Sequence, residues 1–376
     1  MMKNTLICTV GTSLLGNLRR DKGELGQAFD RKNWNEVNRL LLQRNNTDRA
    51  CGAEINSIAR ICDRGIFSSR IHLIFLVSDT DDGLRVGKLL QMYYESRENP
   101  DRFDEVRYQV LEGLKDNDAN EFATKELKIL VVEISRGVRS HSAETIAINA
   151  TGGYKAQISF AGTIGQALEI PVYYLFEGFS EIIELPPQPI ALNLEFWLKH
   201  YSLFEHCDRE GEVEKDSLDF SDVEPTYIQA LFDEAKIDGT TYVALSATGL
   251  LFHERSRLQF NRQNGDRLAC IPEDDTEPEQ KKVSISNHHG NHLLQQRAKR
   301  VCQSKWVKGI RCSLDWTGKR KNKNPILKVH PDGTVDFALT ETDEGFSFKV
   351  QTTGRNLEET QIIALALAER YFDWKP

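Results

Sequence analysis

Residues 149 to 155 read Asn-Ala-Thr-Gly-Gly-Tyr-Lys, between an apolar run at 145–148 and an amphipathic stretch at 156–168. A strand that ends in a glycine turn where a helix begins is where an α/β fold holds phosphate. The glycines let the backbone approach a ligand, the first helical turn presents unpaired N–H groups, and Lys155 adds a charge. The same glycines also suit a tight turn with no ligand. Two further segments favour the ligand reading. The run 5–10 ends in Gly11-Thr12-Ser13, and the run 71–77 ends in Ser78-Asp79-Thr80 ahead of a helical pattern over 84–94. Three strands ending in Gly, Ser and Thr predict an open parallel sheet with a ligand crevice at the carboxyl ends of its strands. Residues 171–177 read as another strand, and 182–185 as an added edge strand stopped by Pro186 and Pro187.

The segments VGTSLLGN, SDT and NATGGYKAQISFAGTIGQALEIPVYYLFEG resemble the CRISPR-associated Rossmann-fold (CARF) sensor domains, a likeness that covers roughly residues 1–190. Dinucleotide binding is the rival, but no Gly-x-Gly-x-x-Gly follows the first strand and no acid ends the second in the usual place. The resemblance implies a homodimer whose paired crevices bind a cyclic oligoadenylate, with cyclic tetraadenylate as the expected activator and no other cofactor. By position it implies Gly11, Thr12, Ser13 and Asn17 in the first ligand loop, Ser78 and Thr80 in the second, and Thr151, Gly152, Gly153 and Lys155 in the third.

At 376 residues the chain exceeds what one core usually supports, so two or three domains are expected. The net charge of −8 argues against a generic nucleic-acid coat, but the charge is unevenly spread. Between Lys281 and Lys328 stand thirteen Lys and Arg against the single acid Asp315, so this stretch carries +12 and the remainder −20. Seven scattered cysteines with no C-x-x-C pair read as free thiols of a reducing cytosol. No basic and apolar leader precedes the first strand, and the apolar runs fall short of a membrane span. A soluble, cytoplasmic chain with no membrane partner is expected.

The composition divides the chain into 1–205, 206–270 and 271–376. The spacing over 192–204 predicts a helix leaving the sensor, and the acidic run 208–224 a linker. A short helix from Tyr227, a turn at Asp238-Gly239, a strand at 242–246 and a second helix from Thr248 are similar to a winged helix-turn-helix. In CARF proteins such a module implies a coupler between sensor and effector. DNA recognition through Arg255 and Arg257 is the alternative, disfavoured by the surrounding acid, since a groove binder needs a positive face. The acidic run 272–279, bounded by Pro272 and Pro278, reads as the next boundary.

The last segment predicts a small α+β domain: a strand at 282–285, a basic helix at 291–303, three antiparallel strands at 326–329, 334–339 and 346–350, and a terminal helix at 358–372. The stretches ILKVHPDGTVDFAL and FSFKVQTTGR resemble the RelE-type messenger RNA interferases. That family's chemistry implies catalysis without metal, by cations that orient the ribose 2′-hydroxyl and stabilise the pentavalent phosphate. On matching positions, Lys328, His330 and Arg355 are the implied catalytic residues. The family's Tyr-Arg pair on the second hairpin strand is absent, Thr334-Val335-Asp336-Phe337 standing there. Lys305, Lys308, Arg311, Lys319, Arg320, Lys321 and Lys323 are candidate RNA contacts, with Trp306 and Trp316 as candidate stacking rings. The resemblance implies messenger RNA and the ribosome as partners.

His288, His289 and His292 invite a metal, but no carboxylate or cysteine joins them at a suitable spacing. The last domain has no R-x-x-x-x-x-H motif of a HEPN ribonuclease. Asp336 offers a first acid for a restriction-type nuclease, yet Phe346-Ser347-Phe348-Lys349 lacks the glutamate that would help hold Mg²⁺. The expected activity is therefore a cyclic-oligoadenylate-activated endoribonuclease of type III CRISPR antiviral defence. A metal-dependent CARF nuclease and a non-catalytic DNA-binding regulator are the alternatives.

Overall fold

The computed structural model describes residues 3–112, 127–176, 181–188, 192–285, 291–314, 325–341 and 344–372. It divides into one unit of Met1–Ala191, Val223–Glu234 and Leu245–Phe252, and another of Leu192–Asp222, Ala235–Ala244 and His253–Pro376.

The first unit begins β1 (Lys3–Thr9), α1 (Ser13–Arg20), α2 (Glu24–Asp30), α3 (Trp34–Leu42), α4 (Gly52–Asp63), β2 (Phe67–Ser78), α5 (Asp81–Glu95) and β3 (Glu105–Leu111). It continues α6 (Leu127–His141), β4 (Ile146–Asn149), α7 (Lys155–Ala167), β5 (Val172–Tyr174) and β6 (Ile183–Leu185). The strands form one sheet in the order β3-β2-β1-β4-β5-β6. All pairings are parallel except that of β6, the proline-stopped edge strand. Residues 5–9 of β1 and all of β4 are buried without alternation, as helices on both faces require of a parallel sheet. The helices α1 to α5 cover one face, where Leu14, Leu18, Ile55, Ile58, Val86 and Leu90 pack on Leu6, Cys8, Phe75 and Val77. β1 lies between β2 and β4, so strand order reverses there, and a crevice opens at such a switch point.

The chain goes on through α8 (Leu194–Lys199), α9 (Tyr201–Glu210), β7 (Val213–Glu214), α10 (Pro225–Leu231), β8 (Phe232–Ile237), β9 (Thr240–Leu245) and the 23-residue α11 (Ala247–Ala269). Where one helix was expected over 192–204, the helix breaks at His200, whose ψ of 18° ends α8. The expected linker carries the end of α9, the short β7 and a 3₁₀ turn over Lys215–Ser217. Asp238 and Gly239 turn the chain between β8 and β9 with φ of 48° and 88°. Within the second unit, Trp197 donates from Nε1 to Nδ1 of the fully buried His253 at 2.8 Å. Arg257 lies within 3.5 Å of carboxylate oxygens of Glu205, Asp208 and Glu254, and Arg255 is 6% exposed.

The second unit ends with β10 (Lys282–Ile285), α12 (Asn291–Cys302), β11 (Val307–Leu314), β12 (Ile326–Val329), β13 (Thr334–Glu341), β14 (Glu344–Thr352) and α13 (Leu357–Tyr371). These strands form a sheet in the order β10-β11-β14-β13-β12, with β10 parallel to β11 and the rest antiparallel. β11 is an addition to the expected three-stranded core. Its alternation is broken by an irregularity between Val307 and Gly309, which puts Lys308 and Arg311 outward while Ile310 and Cys312 are buried. Val335, Phe337, Phe348 and Val350 form the inner layer. Phe372, just past α13, stacks on Phe337 at 4.6 Å between centroids and meets Phe348 edge-on at 5.7 Å.

This aromatic contact sets the height of the sheet above its helix. Phe337→Ala is expected to cost about 3–5 kcal/mol, the range for emptying a buried aromatic site. Urea denaturation measures it, and a cost under about 1 kcal/mol would mean the site collapses without the ring.

Candidate functional site

In the first unit, the loops after β1 and β4 meet at the switch point. The Thr9 hydroxyl donates to the Gly152 carbonyl. A Cβ on Gly11 would lie 2.9 Å from the Gly153 nitrogen, and Gly153 has a φ of 110°, so both glycines are required by the approach of two backbones. Below them lies Glu54, 1% exposed. Its Oε1 accepts the Gly11 N–H at 2.7 Å, and its Oε2 has no hydrogen-bond partner among the described residues. A Cβ on Gly152 would fall 2.1 Å from the same Oε1. Burial pushes the Glu54 carboxyl above its ordinary range, while the Gly11 N–H pulls the other way.

Beside the loops is a cavity of about 330 Å³. Ser13, Asn17 and Arg20 of α1, Arg49 before α4, and Asn56 and Arg60 of α4 line it, and none of the lining residues is acidic. Asn17 ties two walls together by donating to the Arg49 carbonyl at 2.9 Å. Three guanidiniums with amide and hydroxyl groups, and no acid among the described lining residues, suit an anion with several acceptor oxygens.

The expected ligand residues divide into three groups. Ser13, Asn17 and Thr151 line the cavity. Gly11, Gly152 and Gly153 form the loop contact, with the Gly11 N–H committed to Glu54. Thr12 is exposed at the N-cap of α1, and Lys155 is exposed at the start of α7, away from the cavity lining. Ser78 and Thr80 turn inward: their hydroxyls lie 2.9 Å apart, and Thr80 caps α5 by accepting the Gly83 N–H. Arg20, Arg49, Asn56, Arg60 and Glu54 went unread in the sequence. For Arg49, Asn56 and Arg60 the signal was polar residues at 49, 56 and 60 beside a helix buried at Ile55, Ile58, Ala59 and Ile61.

In the second unit, the outward face of the sheet carries two cross-strand rungs. One runs Ser284, Arg311, Lys349, Asp336, Lys328 across five strands. The next runs Lys282, Gly309, Gln351, Thr334. The cleft of about 500 Å³ over these rungs is lined by Lys282, Lys308, Arg311 and Lys349 around the bare Gly309. A Cβ at Gly309 would lie 2.9 Å from the Lys282 carbonyl oxygen. At the far end, Asp336 contacts Nε2 of His330 at 2.9 Å and Nζ of Lys349 at 3.5 Å.

Lys328 and His330 therefore share Asp336, one opposite it across the strands and the other bonded to it. Arg355 stands apart, past β14, with its guanidinium and its backbone N–H both bound to the Glu359 carboxylate. Lys308 and Arg311 lie in the cleft. Lys305 pairs with Glu273 and stands over the Trp306 ring at 5.4 Å. Lys319, Arg320, Lys321, Lys323, Trp316, His288 and His289 lie outside the described residues, as does the His292 side chain. Among the described residues no three His, Cys, Asp or Glu side chains are grouped to hold a metal ion, and no helix is long and apolar enough to cross a membrane.

The buried Glu54 makes a pH-dependent prediction. A carboxyl whose folded pKa is raised above its unfolded value of about 4.3 stabilises the fold below that value and loses the contribution as pH rises through the folded pKa. Glu54→Gln keeps an acceptor for Gly11 and stays neutral throughout. The variant should therefore gain thermal stability relative to the parent as pH rises above about 4.3. A difference in Tm that does not change with pH would contradict the burial of an ionisable group there.

Residues 49–188 match a family model described as CRISPR-associated protein (Cas_APE2256). The match spans α4, with Arg49, Asn56 and Arg60, through the edge strand β6. No curated protein matches the chain. Two solved structures similar to it are Can2 from Sulfobacillus thermosulfidooxidans in complex with cyclic tetra-adenylate, 10% identical, and protein VC1899 from Vibrio cholerae, 9% identical. Each aligns over 82% of this chain and over 86% and 87% of theirs, with TM-scores of 0.24 and 0.26. Superpositions that loose carry no argument, and the family match to residues 49–188 is what places this part of the chain beside CRISPR-associated proteins.

Proposed function

We propose that the chain is a cyclic-oligoadenylate-activated endoribonuclease of CRISPR antiviral defence. Residues 1–205 serve as a CARF sensor, 206–270 as a winged-helix coupler and 271–376 as a RelE-like ribonuclease acting on messenger RNA at the ribosome. The observation that carries the reading is the cavity lined by three arginines, with no acid among the described lining residues, at the switch point of a parallel sheet; its Arg49, Asn56, Arg60 and Thr151 fall inside the part matched to a CRISPR-associated family, and Ser13, Asn17 and Arg20 precede that part. A cyclic oligoadenylate offers such a cavity what it lacks: repeated phosphates for the guanidiniums, and adenine edges for Asn17, Asn56 and Thr151. The expected ligand is cyclic tetraadenylate, bound by a homodimer.

The basic face of the second unit supports a ribonuclease. Lys308, Arg311 and Lys349 stand outward on β11 and β14, and the nearest acid, Asp336, is held by His330 and Lys349. That donor set suits a phosphodiester better than a divalent ion, which needs carboxylates. It supports cleavage through the 2′-hydroxyl without metal. The DNA-binding alternative loses its proposed contacts, because Arg255 is buried and Arg257 is spent on three carboxylates.

Two measurements test the reading. In calorimetric titration with cyclic tetraadenylate, Arg60→Ala should weaken binding by about 1.5–3 kcal/mol, the worth of a charge-assisted hydrogen bond, and Lys155→Ala by less. Unchanged affinity for Arg60→Ala and Arg49→Ala would remove the cavity as the ligand site. Assays on free RNA, DNA and translating ribosomes, with and without ligand and EDTA, should give ligand-dependent RNA products ending in 2′,3′-cyclic phosphate. Products with 5′-phosphate ends would point to a metal nuclease and overturn the RelE-like reading.

A further inference from the structure

We propose that Arg311, Lys349, His330 and Asp336 form the centre that cleaves RNA, with Asp336 as the positioning residue for His330 as general base. The inference rests on the ribonuclease reading above and names the residues of its site. It starts from an arrangement that works against the stability of the sheet. Arg311 and Lys349 are direct cross-strand partners on an outward face, and both are exposed. Side chains in that relation start from Cβ atoms about 4.5–5.5 Å apart, and like charges so placed repel. Among the described residues no carboxylate pairs with Arg311, while Lys282 and Lys308 add two more cations to the same cleft. In a protein of net charge −8, acids to neutralise this face were plentiful in the sequence. The bare Gly309 in the adjacent rung leaves the floor open between these cations. The arrangement becomes favourable when an anion lies over it, and a phosphodiester matches its width and charge.

The same rung then supplies a base. Asp336 neighbours Lys349 on one side and Lys328 on the other, and its Oδ2 lies 2.9 Å from His330 Nε2. A carboxylate only accepts hydrogen bonds, so Nε2 carries the proton and Nδ1 presents its lone pair. His330 and Asp336 side chains are 27% and 23% exposed, open enough for a substrate to reach the ring and covered enough to hold its orientation. With the scissile phosphate held by Arg311 and Lys349, Nδ1 takes the proton of the ribose 2′-hydroxyl. The 2′-oxygen forms its bond to phosphorus as the bond to the 5′-oxygen breaks, and that leaving oxygen takes a proton from solvent water. The products are a 2′,3′-cyclic phosphate and a 5′-hydroxyl, and Asp336 stabilises the imidazolium that remains.

The test uses the full chain activated by cyclic tetraadenylate, with a fluorescent RNA presented free and as the message of translating ribosomes, and a free oligonucleotide carrying 2′-deoxy sugars as an uncleavable probe. Arg311→Ala/Lys349→Ala should weaken binding of the uncleavable probe, and should make the plot of log affinity against log salt shallower by about 1.4, two contacts at roughly 0.7 each for a single strand. His330→Gln should bind the probe like the parent, which also shows that it is folded, and cleave about 10²- to 10⁴-fold more slowly. Asp336→Asn should cleave at an intermediate rate through a lower kcat with KM unchanged, and Asp336→Glu, which keeps a carboxylate for His330, should restore part of the rate. A residue with only a structural role would not show rescue by the conservative variant. If the parent cleaves RNA and His330→Gln cleaves at the parent's rate, this centre is wrong while the ribonuclease reading stands. A parent that cleaves no RNA in any arm overturns the ribonuclease reading itself.

Discussion

The contact on which the first unit depends is the meeting of two backbones at the switch point. Thr9 reaches the Gly152 carbonyl, Gly11 abuts Gly153, and Glu54 takes the Gly11 N–H from below. Neither loop tolerates a side chain at its closest approach. Because the loops close on each other, the cavity lies beside them, on the walls built by α1 and α4. The glycine turn thus shapes the crevice without supplying its donors. The donors come from guanidinium groups, which reach further than backbone N–H groups and fix an anion by two parallel hydrogen bonds.

The second unit depends on a different balance. The thirteen basic residues between Lys281 and Lys328 look uncompensated in sequence, but the acidic run before them folds back on part of the set. Asp274 lies 3.6 Å from the nearly buried Lys281, Glu273 pairs with Lys305, and the Asp274 N–H donates to the Lys305 carbonyl. The run 272–279 is therefore a local neutraliser as well as a boundary. What it leaves unneutralised is the outward face of β10, β11 and β14. On β11 and β14 charge is selected by position, since Arg311 stands between the buried Ile310 and Cys312 and Lys349 between the buried Phe348 and Val350.

Much of this was legible from sequence. The Asn149–Lys155 turn, the edge strand stopped by Pro186, the Asp238-Gly239 turn and the last two hairpin strands are local signals, and the structure places them as read. Elements whose signal is broken or shared were not. β11 lost its alternation to the irregularity at Lys308, so no element was assigned to the strand that carries Arg311. Ser78 and Thr80 looked like ligand hydroxyls, although the same side chains serve as a helix cap, and periodicity cannot tell the two uses apart. Glu54 was hidden for another reason. A glutamate in a helix is ordinarily solvated, and only the tertiary fold puts this one under two glycines.

Both units place a single acid at an otherwise cationic or anion-seeking site, and in each the acid orients more than it neutralises. Glu54 holds the Gly11 loop and, pushed toward its neutral form by burial, adds little repulsion to an incoming phosphate. Asp336 gathers His330 and Lys349 and keeps them in one geometry. Among the described residues Glu54 pairs with none of the cavity arginines, and Asp336 takes up Lys349 at 3.5 Å but not Arg311, so part of each site's positive potential stays directed outward. A site built this way keeps its cations mutually repelling until an anion arrives. Part of the binding free energy is then relief of that repulsion, an energy available only to a ligand with enough charge to span several cations at once. Polyanions meet that requirement, and small monovalent ions do not.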